Sequence, residues 1–146
     1  MKILIVEDED KLAEGLSRGL SSFGYETATI SDGKAALDRI LFSTESYDAI
    51  LLDLMLPSLS GLEICKAVRT KSTVPIIILT ARNESEVKDE LFKVGASAYL
   101  VKPFSFSELR DTLEGFLKLK NSKSSDIKSP IKKSAKTTST RKRMKR

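Results

Sequence analysis

The sequence predicts an α/β fold in which a doubly wound, five-stranded parallel sheet carries helices on both faces. Three observations support this class: four short apolar runs, helical patterns between them, and an order that repeats β-α five times. The apolar runs, residues 3–6, 49–52, 76–79 and 98–101, have the length and composition of strands covered on both faces. Residues 25–30 alternate more and predict a less protected strand. Such a repeat favours right-handed crossovers and a parallel sheet.

Five helices are predicted, one after each strand. In each helix, apolar residues recur at the three- or four-residue spacing of a single helix face. Gly24 ends the first helix, and either Ser105 or Ser107 caps the last one, which has Glu108 in its first turn. The apolar positions are, in chain order, Leu12, Leu16, Leu20 and Phe23; Leu37, Ile40 and Leu41; Leu62 and Val68; Val87, Leu91 and Val94; and Leu109, Leu113, Phe116 and Leu117.

The charge divides the chain into two parts. Residues 1–118 hold 14 Lys and Arg against 19 Asp and Glu, a net charge of −5. Residues 119–146 hold 11 basic residues against one acid, a net charge of +10, together with nine Ser or Thr and five apolar residues. A segment this polar cannot bury enough apolar surface to offset its chain entropy. We therefore expect one acidic domain over residues 1–118, followed by a disordered basic tail.

Composition excludes several kinds of chemistry. The chain has no histidine, which removes Ser-His-Asp and Cys-His nucleophilic sites and His-ligated metals. Its single cysteine, Cys65, allows no internal disulfide and lies in a predicted helix with no pattern of basic neighbours, so we expect a small core residue. No apolar run reaches the roughly 18 residues of a membrane span. The acids at positions 7–10 do not fit a secretory signal, and a cytoplasmic location is expected.

Polar side chains follow the predicted strands at one edge of the sheet. Glu7 and Asp8 follow the first strand, Asp53 the third, Thr80 the fourth and Lys102 the fifth. The carboxyl ends of parallel strands form the binding crevice of an open α/β sheet. Crowded carboxylates without His or Cys favour Mg²⁺, and a free aspartate beside Mg²⁺ and a lysine is an arrangement for phosphoryl transfer.

Four segments give these residues a family resemblance: "ILIVEDE", "DAILLDLMLPSLSGLEICKAVR", "VPIIILTAR" and "GASAYLVKPF". In order and spacing they resemble the receiver domain of bacterial two-component response regulators, over about residues 1–118. The resemblance implies a flavodoxin-like fold with strand order 2-1-3-4-5. It also implies a phosphoacceptor switch rather than an enzyme, with a histidine kinase or a phosphotransfer protein as the donor.

The resemblance assigns roles to the acidic residues. It implies that Asp53 is the phosphoacceptor and that Asp8, Asp53 and the backbone carbonyl of Met55 bind Mg²⁺, with Glu7 acting through water. Met55 and Arg82 would flank the water that hydrolyses the aspartyl phosphate. Since a thioether and a guanidinium offer that water no base, we expect a long-lived phosphate.

The resemblance also implies a switch. Thr80 would bond to the phosphoryl group, Lys102 would pair with it, and Tyr99 would turn inward when Thr80 moves. The bond between Lys102 and Pro103 would be cis, which requires proline there. The surface formed by the fourth helix, fifth strand and fifth helix would change, acting on an output protein that the sequence does not identify.

Some segments most resemble the branch of receiver domains that precede winged-helix DNA-binding domains (OmpR/PhoB-like). That branch carries an acidic pair before the switch tyrosine, where this chain has Ser97 and Ala98. The last helix is also poorer in the arginines of the branch's dimer, so we expect a monomer or a weak phosphorylation-dependent dimer. After residue 118 we expect the basic tail and no winged helix.

Two other phosphoryl-transfer classes fail on the sequence. A haloacid-dehalogenase-like phosphatase needs a second aspartate two residues after the nucleophile, where this chain has Met55. The GxxxxGK[ST] motif of P-loop NTPases is absent.

The tail resembles the lysine-rich tails of linker histones. Its charge favours non-specific binding to nucleic acid, and a solvated appendage without a partner is the alternative. A rival to the phosphoacceptor function is a constitutive binding protein for DNA or an anionic surface, with the receiver fold as its scaffold. The candidate nucleic-acid contacts are Lys132, Lys133, Lys136, Arg141, Lys142, Arg143, Lys145 and Arg146.

Overall fold

The computed structural model describes residues 1–81, 84–122 and 141–143. Strands and helices alternate along the chain as the apolar runs and helical patterns predict. The elements are β1 (Lys2–Val6), α1 (Asp10–Ser22), β2 (Glu26–Ile30), α2 (Gly33–Phe42), β3 (Ala49–Asp53), α3 (Gly61–Arg69), β4 (Ile76–Thr80), α4 (Glu84–Val94), β5 (Ala98–Val101), α5 (Phe106–Ser122) and β6 (Arg141–Arg143).

The strands form one sheet in the order β2-β1-β3-β4-β5-β6. The pairs from β2 to β5 are all parallel, so the predicted five-stranded sheet with order 2-1-3-4-5 is confirmed. Strand β2 is the least buried of these five, as its alternating sequence predicts. The sixth strand, β6, pairs with β5 in the antiparallel direction and was not predicted.

Two apolar clusters cover the two faces of the sheet. Successive strand residues point to opposite faces, so one cluster packs under α2, α3 and α4 and the other under α1 and α5. This is the doubly wound arrangement that the sequence predicts. The buried helix residues are Ala36, Ile64, Cys65, Val68 and Leu91 in the first cluster, and Leu16, Leu20, Leu109, Leu113 and Leu117 in the second.

Helix α1 ends at Ser22, and Gly24, with a φ of +92°, terminates it as expected. Phe23, expected on the apolar face of this helix, instead lies outside the core with its ring stacked on Phe106 at 5.7 Å between centroids. Helix α5 continues to Ser122, past the domain boundary expected at residue 118, because helical hydrogen bonding does not stop where apolar periodicity ends.

The structure decides between the two serines expected to cap α5. The Glu108 N–H donates to Ser105 Oγ at 3.0 Å, and the Ser105 N–H donates to Glu108 Oε1 at 3.1 Å. These reciprocal bonds form a capping box, in which two otherwise unpaired backbone donors at the helix start are satisfied. Ser105 is therefore the cap, and Ser107 lies within the helix.

Cys65 is a core residue, as expected. Its side chain is fully buried, its Sγ donates to the Val94 carbonyl at 3.3 Å, and burial raises the pKa of the thiol from 9.0 to about 11. Because the folded thiol ionises at higher pH than the unfolded one, its contribution to stability is complete below pH 9.0 and is lost as pH rises toward 11.

We expect the Cys65 thiol to resist modification while the protein is folded. At pH 8 a disulfide reagent such as Ellman's should react at least about 100-fold more slowly in buffer than in denaturant, because both the thiolate fraction and access are reduced. The chain has one cysteine, so the signal belongs to this residue alone. Equal rates in buffer and denaturant would contradict the buried placement.

Candidate functional site

Three carboxylates meet at the carboxyl end of the sheet. Glu7 and Asp8 directly follow β1, and Asp53 is the last residue of the neighbouring strand β3. One carboxylate oxygen from each of the three lies within 4.8 Å of the others. Glu7 and Asp53 are buried, at 2% and 5% exposure, whereas Asp8 is exposed to solvent. One carboxylate of the crevice therefore faces solvent, and the other two are buried.

Lys102 reaches the same crevice from the end of β5. Its Nζ lies 3.3 Å from Glu7 Oε1 and 3.6 Å from Asp53 Oδ1. The Lys102 N–H also donates to the Thr80 carbonyl at 2.7 Å, which holds the start of the β5–α5 loop against the end of β4. A lysine that follows β5 thus neutralises carboxylates that follow β1 and β3.

The surroundings of Glu7 disfavour a negative charge on its carboxyl beside the charge of Asp53. Burial raises the pKa of the Glu7 carboxyl, and the nearby Asp53 charge raises it further. The Glu9 N–H, which donates to Glu7 Oε2 at 3.1 Å, and the Lys102 ammonium both act in the opposite direction. A cation in the crevice would remove the remaining repulsion.

The donor set fits magnesium. Three carboxylates with no thiol or imidazole among them are hard oxygen ligands, and one exposed ligand leaves room for the waters that Mg²⁺ retains. The Met55 N–H donates to Asp53 Oδ1 at 3.2 Å and holds that carboxylate in place. The Met55 side chain is 64% exposed.

The loop after β3 passes directly behind Asp53. The Gly61 N–H donates to the Leu54 carbonyl at 2.9 Å, and a Cβ on Gly61 would lie 2.5 Å from the Asp53 carbonyl oxygen. Only glycine allows this approach, so the start of α3 is held against the end of the strand that carries Asp53. Ser60 caps that helix through a capping box with Glu63.

The remaining predicted residues are placed as follows. Thr80 is fully buried at the end of β4, and Tyr99 is 1% exposed within the cluster under α2, α3 and α4. The bond between Lys102 and Pro103 is cis, as the resemblance implied. Arg82 lies outside the described residues.

The tail residues predicted to bind nucleic acid fall into two groups. The backbone of Arg141, Lys142 and Arg143 forms β6, so these three residues belong to a strand rather than to an irregular tail. Pairing of this kind needs only backbone groups and an available sheet edge, which composition does not show. The other five, Lys132, Lys133, Lys136, Lys145 and Arg146, lie outside the described residues.

Sequence reasoning missed Arg69, which ties α3 to the segment between α4 and β5. Its guanidinium donates to the Gly95 carbonyl at 2.8 Å, the Ser72 carbonyl at 3.1 Å and Ser97 Oγ at 3.3 Å. Burial lowers the pKa of this guanidinium. No local pattern marks an arginine that has two of its three acceptors 26 and 28 residues away, although the glycine at position 95 has a φ of +92° and leaves space that Arg69 fills.

Comparisons with known proteins agree with this geometry. Residues 3–114 match the family described as the response regulator receiver domain. The chain is 45% identical over 116 residues to the response regulator ArlR of Staphylococcus epidermidis, covering 80% of this chain and 52% of that protein. ArlR of Staphylococcus aureus is 44% identical over 117 residues. The chain thus spans about half the length of these curated relatives.

Solved structures give the same result. The receiver domain of the Francisella response regulator 1452 has a TM-score of 0.74 at 36% identity, covering 80% of this chain and 96% of that one. The chemotaxis response regulator CheY4 of Vibrio cholerae has a TM-score of 0.72 at 36% identity, covering 79% of this chain and 97% of that one. Among the described residues, no helix has the length and apolar character to cross a membrane.

Proposed function

Because this chain belongs to the response regulator receiver family, we propose that it accepts a phosphoryl group on Asp53 from a histidine kinase or a phosphotransfer protein in the cytoplasm. The observation that carries the proposal is the position of Asp53. Its carboxylate is buried at the end of β3, within 3.6 Å of the Lys102 ammonium and beside two further carboxylates. In this role the chain is a phosphoacceptor switch, not a turnover enzyme.

The two oxygens of Asp53 have different surroundings. Oδ1 accepts the Met55 N–H at 3.2 Å and is the oxygen that faces Lys102. We assign the attack on phosphorus to Oδ2, while Oδ1 stays held. A bond forms between Oδ2 and phosphorus, the bond from phosphorus to the donor atom breaks, and the donor leaves with that electron pair. Lys102 would then neutralise charge on the transferred group.

Mg²⁺ is the proposed cofactor, with Asp8, Asp53 and the Met55 carbonyl as its ligands and Glu7 acting through water. When bound, the ion supplies positive charge to the phosphoryl oxygens during transfer. The chain's own contribution is to crowd three carboxylates so closely that Lys102 alone does not balance their charge.

Thr80 and Tyr99 are the proposed switch residues. The Thr80 hydroxyl would bond to the phosphoryl group, and the inward position of Tyr99 would become favoured as Thr80 moves toward Asp53. Tyr99 is already buried in this structure, so the inward arrangement is sterically accessible without the phosphoryl group. The surface made by α4, β5 and α5 would carry the change to an output protein. In this role the chain would act as a monomer or as a weak dimer.

Met55 and Arg82 are proposed to set how long the phosphate lasts. The Met55 N–H bonds to Asp53 and the Met55 side chain is exposed, so the thioether would be available to shield the phosphoryl group from water. Neither a thioether nor a guanidinium orients an attacking water as a base does.

Labelling by a small phosphodonor tests the proposal. Incubated with acetyl phosphate and Mg²⁺, the protein should gain the mass of one phosphoryl group, and the gain should disappear when the metal is chelated. The dependence arises because the crowded carboxylates and the incoming phosphoryl group repel each other without the ion. The rival function, a constitutive binding protein on a receiver scaffold, predicts no labelling with or without Mg²⁺.

A second candidate activity is non-specific DNA binding by the basic tail, favoured by its 11 basic residues and one acid over residues 119–146. Random-sequence duplex DNA should bind weakly, and the affinity should fall by roughly 500-fold between 50 and 200 mM salt if about five phosphates are contacted. Fluorescence anisotropy of a labelled duplex measures this effect.

Two matched double variants distinguish the effect of charge in the tail from the effect of the total charge of the chain. Changing Lys132 and Lys133 to Gln should weaken binding and reduce its salt dependence, whereas changing Lys66 and Lys93, which are exposed on the acidic domain, should not. Equal losses in the two double variants, or no salt-dependent binding by the parent, would rule the tail out.

A further inference from the structure

The outer edge of β5 is closed by the chain's own C-terminal segment. Strand β6 pairs antiparallel with β5, with Leu100 opposite Arg141, Tyr99 opposite Lys142 and Ala98 opposite Arg143. Every strand from β1 to β5 is otherwise paired in parallel, so β6 alone reverses direction. The backbone groups on that side of β5 thus face protein instead of solvent.

The closed edge lies between two helices on opposite faces of the sheet. Tyr99 packs in the cluster that contains Leu91 of α4, and Leu100 packs in the cluster that contains Leu109 of α5. The edge of β5 is therefore the middle of the surface made by α4, β5 and α5. The strand that covers it also runs beside Tyr99, which the proposed function makes a switch residue.

The chemistry of β6 suits a cover. Arginine and lysine have no strong preference for strands, so the pairing depends on backbone groups and on the open edge. A very short, charged edge strand also discourages a further strand from adding.

We propose that Arg141–Arg143 is an intramolecular cover of the β5 edge, which a partner has to displace before it uses the surface made by α4, β5 and α5. The 18 residues 123–140 join Ser122 to Arg141, and an extended chain of that length reaches up to roughly 60 Å, so the same molecule can supply the strand. Pairing over three residues is short, so the cover exchanges readily and a partner with a longer strand or a larger contact replaces it. The role of this surface as an output rests on the proposed function, whereas the cover itself does not.

Hydrogen exchange of the β5 amides that point away from β4 tests the cover. Measured by NMR on the unphosphorylated full chain without Mg²⁺, these amides should exchange about 5- to 10-fold faster in Lys142→Pro/Arg143→Pro than in the parent. The two prolines remove backbone donors from β6. The control Lys145→Pro/Arg146→Pro removes the same charges and adds the same prolines outside β6, and it should exchange as the parent does.

Two further measurements make the outcomes decisive. Thermal unfolding should show that both double variants fold as the parent does, since β6 contributes little to the core. In the parent, NMR should detect backbone contacts between Tyr99 and Lys142 in a uniformly labelled sample. In a mixture of differently labelled copies, no such contact should be detected from one copy to another. Contacts only between copies would make a second molecule the occupant and overturn the proposal.

Equal hydrogen exchange of the β5 amides in the parent and in both double variants would also overturn the proposal that β6 covers the β5 edge. Because no arm uses phosphorylation, a chain that fails to label on Asp53 would disprove the proposed function and leave this test unaffected.

Discussion

Asp53→Asn is expected to reduce labelling by acetyl phosphate to background while the protein stays folded. The amide has nearly the shape of the carboxylate but is not a nucleophile, so no bond to phosphorus forms. The fold should persist because Asp53 is crowded by Glu7 and Asp8 within 4.8 Å, and removing its charge relieves repulsion as well as losing the contact with Lys102. Intact-protein mass spectrometry measures labelling, and thermal unfolding measures the fold.

The control for this variant is Asp111→Asn. Asp111 is an exposed aspartate on α5 and is not one of the three crevice carboxylates, so its replacement should leave labelling at the parent's level. Labelling of Asp53→Asn at the parent's rate would show that another residue is the acceptor.

Lys102→Met is expected to slow labelling by about 100-fold, the effect typical of removing one group that stabilises developing negative charge. Methionine keeps much of the length of lysine but has no charge, so Asp53 Oδ1 loses the ammonium at 3.6 Å. Glu7 loses its partner at 3.3 Å, and because Lys102 lowers the pKa of the Glu7 carboxyl, that pKa should rise further. The initial rate of labelling at fixed Mg²⁺ measures the effect.

Lys66→Met is the matched control. Lys66 is exposed on α3, and its substitution removes the same charge from the same domain. It should label at the parent's rate. If Lys102→Met also labels at that rate, the ammonium does not take part in the transfer, and its pairing with Glu7 and Asp53 is structural alone.

Much of the fold follows from local sequence because a strand buried on both faces must be apolar throughout. Residues 3–6 and 76–79 meet this condition, and both lie in central strands of the sheet with their side chains fully buried. The identity of the helix residues that enter the core follows in the same way from helical spacing, as Leu16 and Leu20 show. Phe23 has the same spacing but lies past the end of α1, where periodicity no longer sets burial.

The candidate site was also accessible from sequence, because parallel strands end at one edge whatever their length. Glu7, Asp8 and Asp53 could be grouped from their places after the first and third runs, and the structure brings them together. Arg69 could not be found this way. Its acceptors at Gly95 and Ser97 belong to a segment more than 25 residues away, and no local pattern records which loops pack together.

Local sequence was enough to predict which residues form the five parallel strands and that an acidic, lysine-bearing crevice lies at their ends. The three-dimensional arrangement was needed to show that Lys102 contacts both Glu7 and Asp53, that Ser105 rather than Ser107 caps α5, and that β6 closes the β5 edge. The reason is physical. Burial and helix periodicity are carried by side chains in local order, whereas pairing between distant segments depends on where packing places them. Backbone hydrogen bonds along a sheet edge do not depend on side-chain identity, so composition alone gave no sign that three basic residues would form a strand.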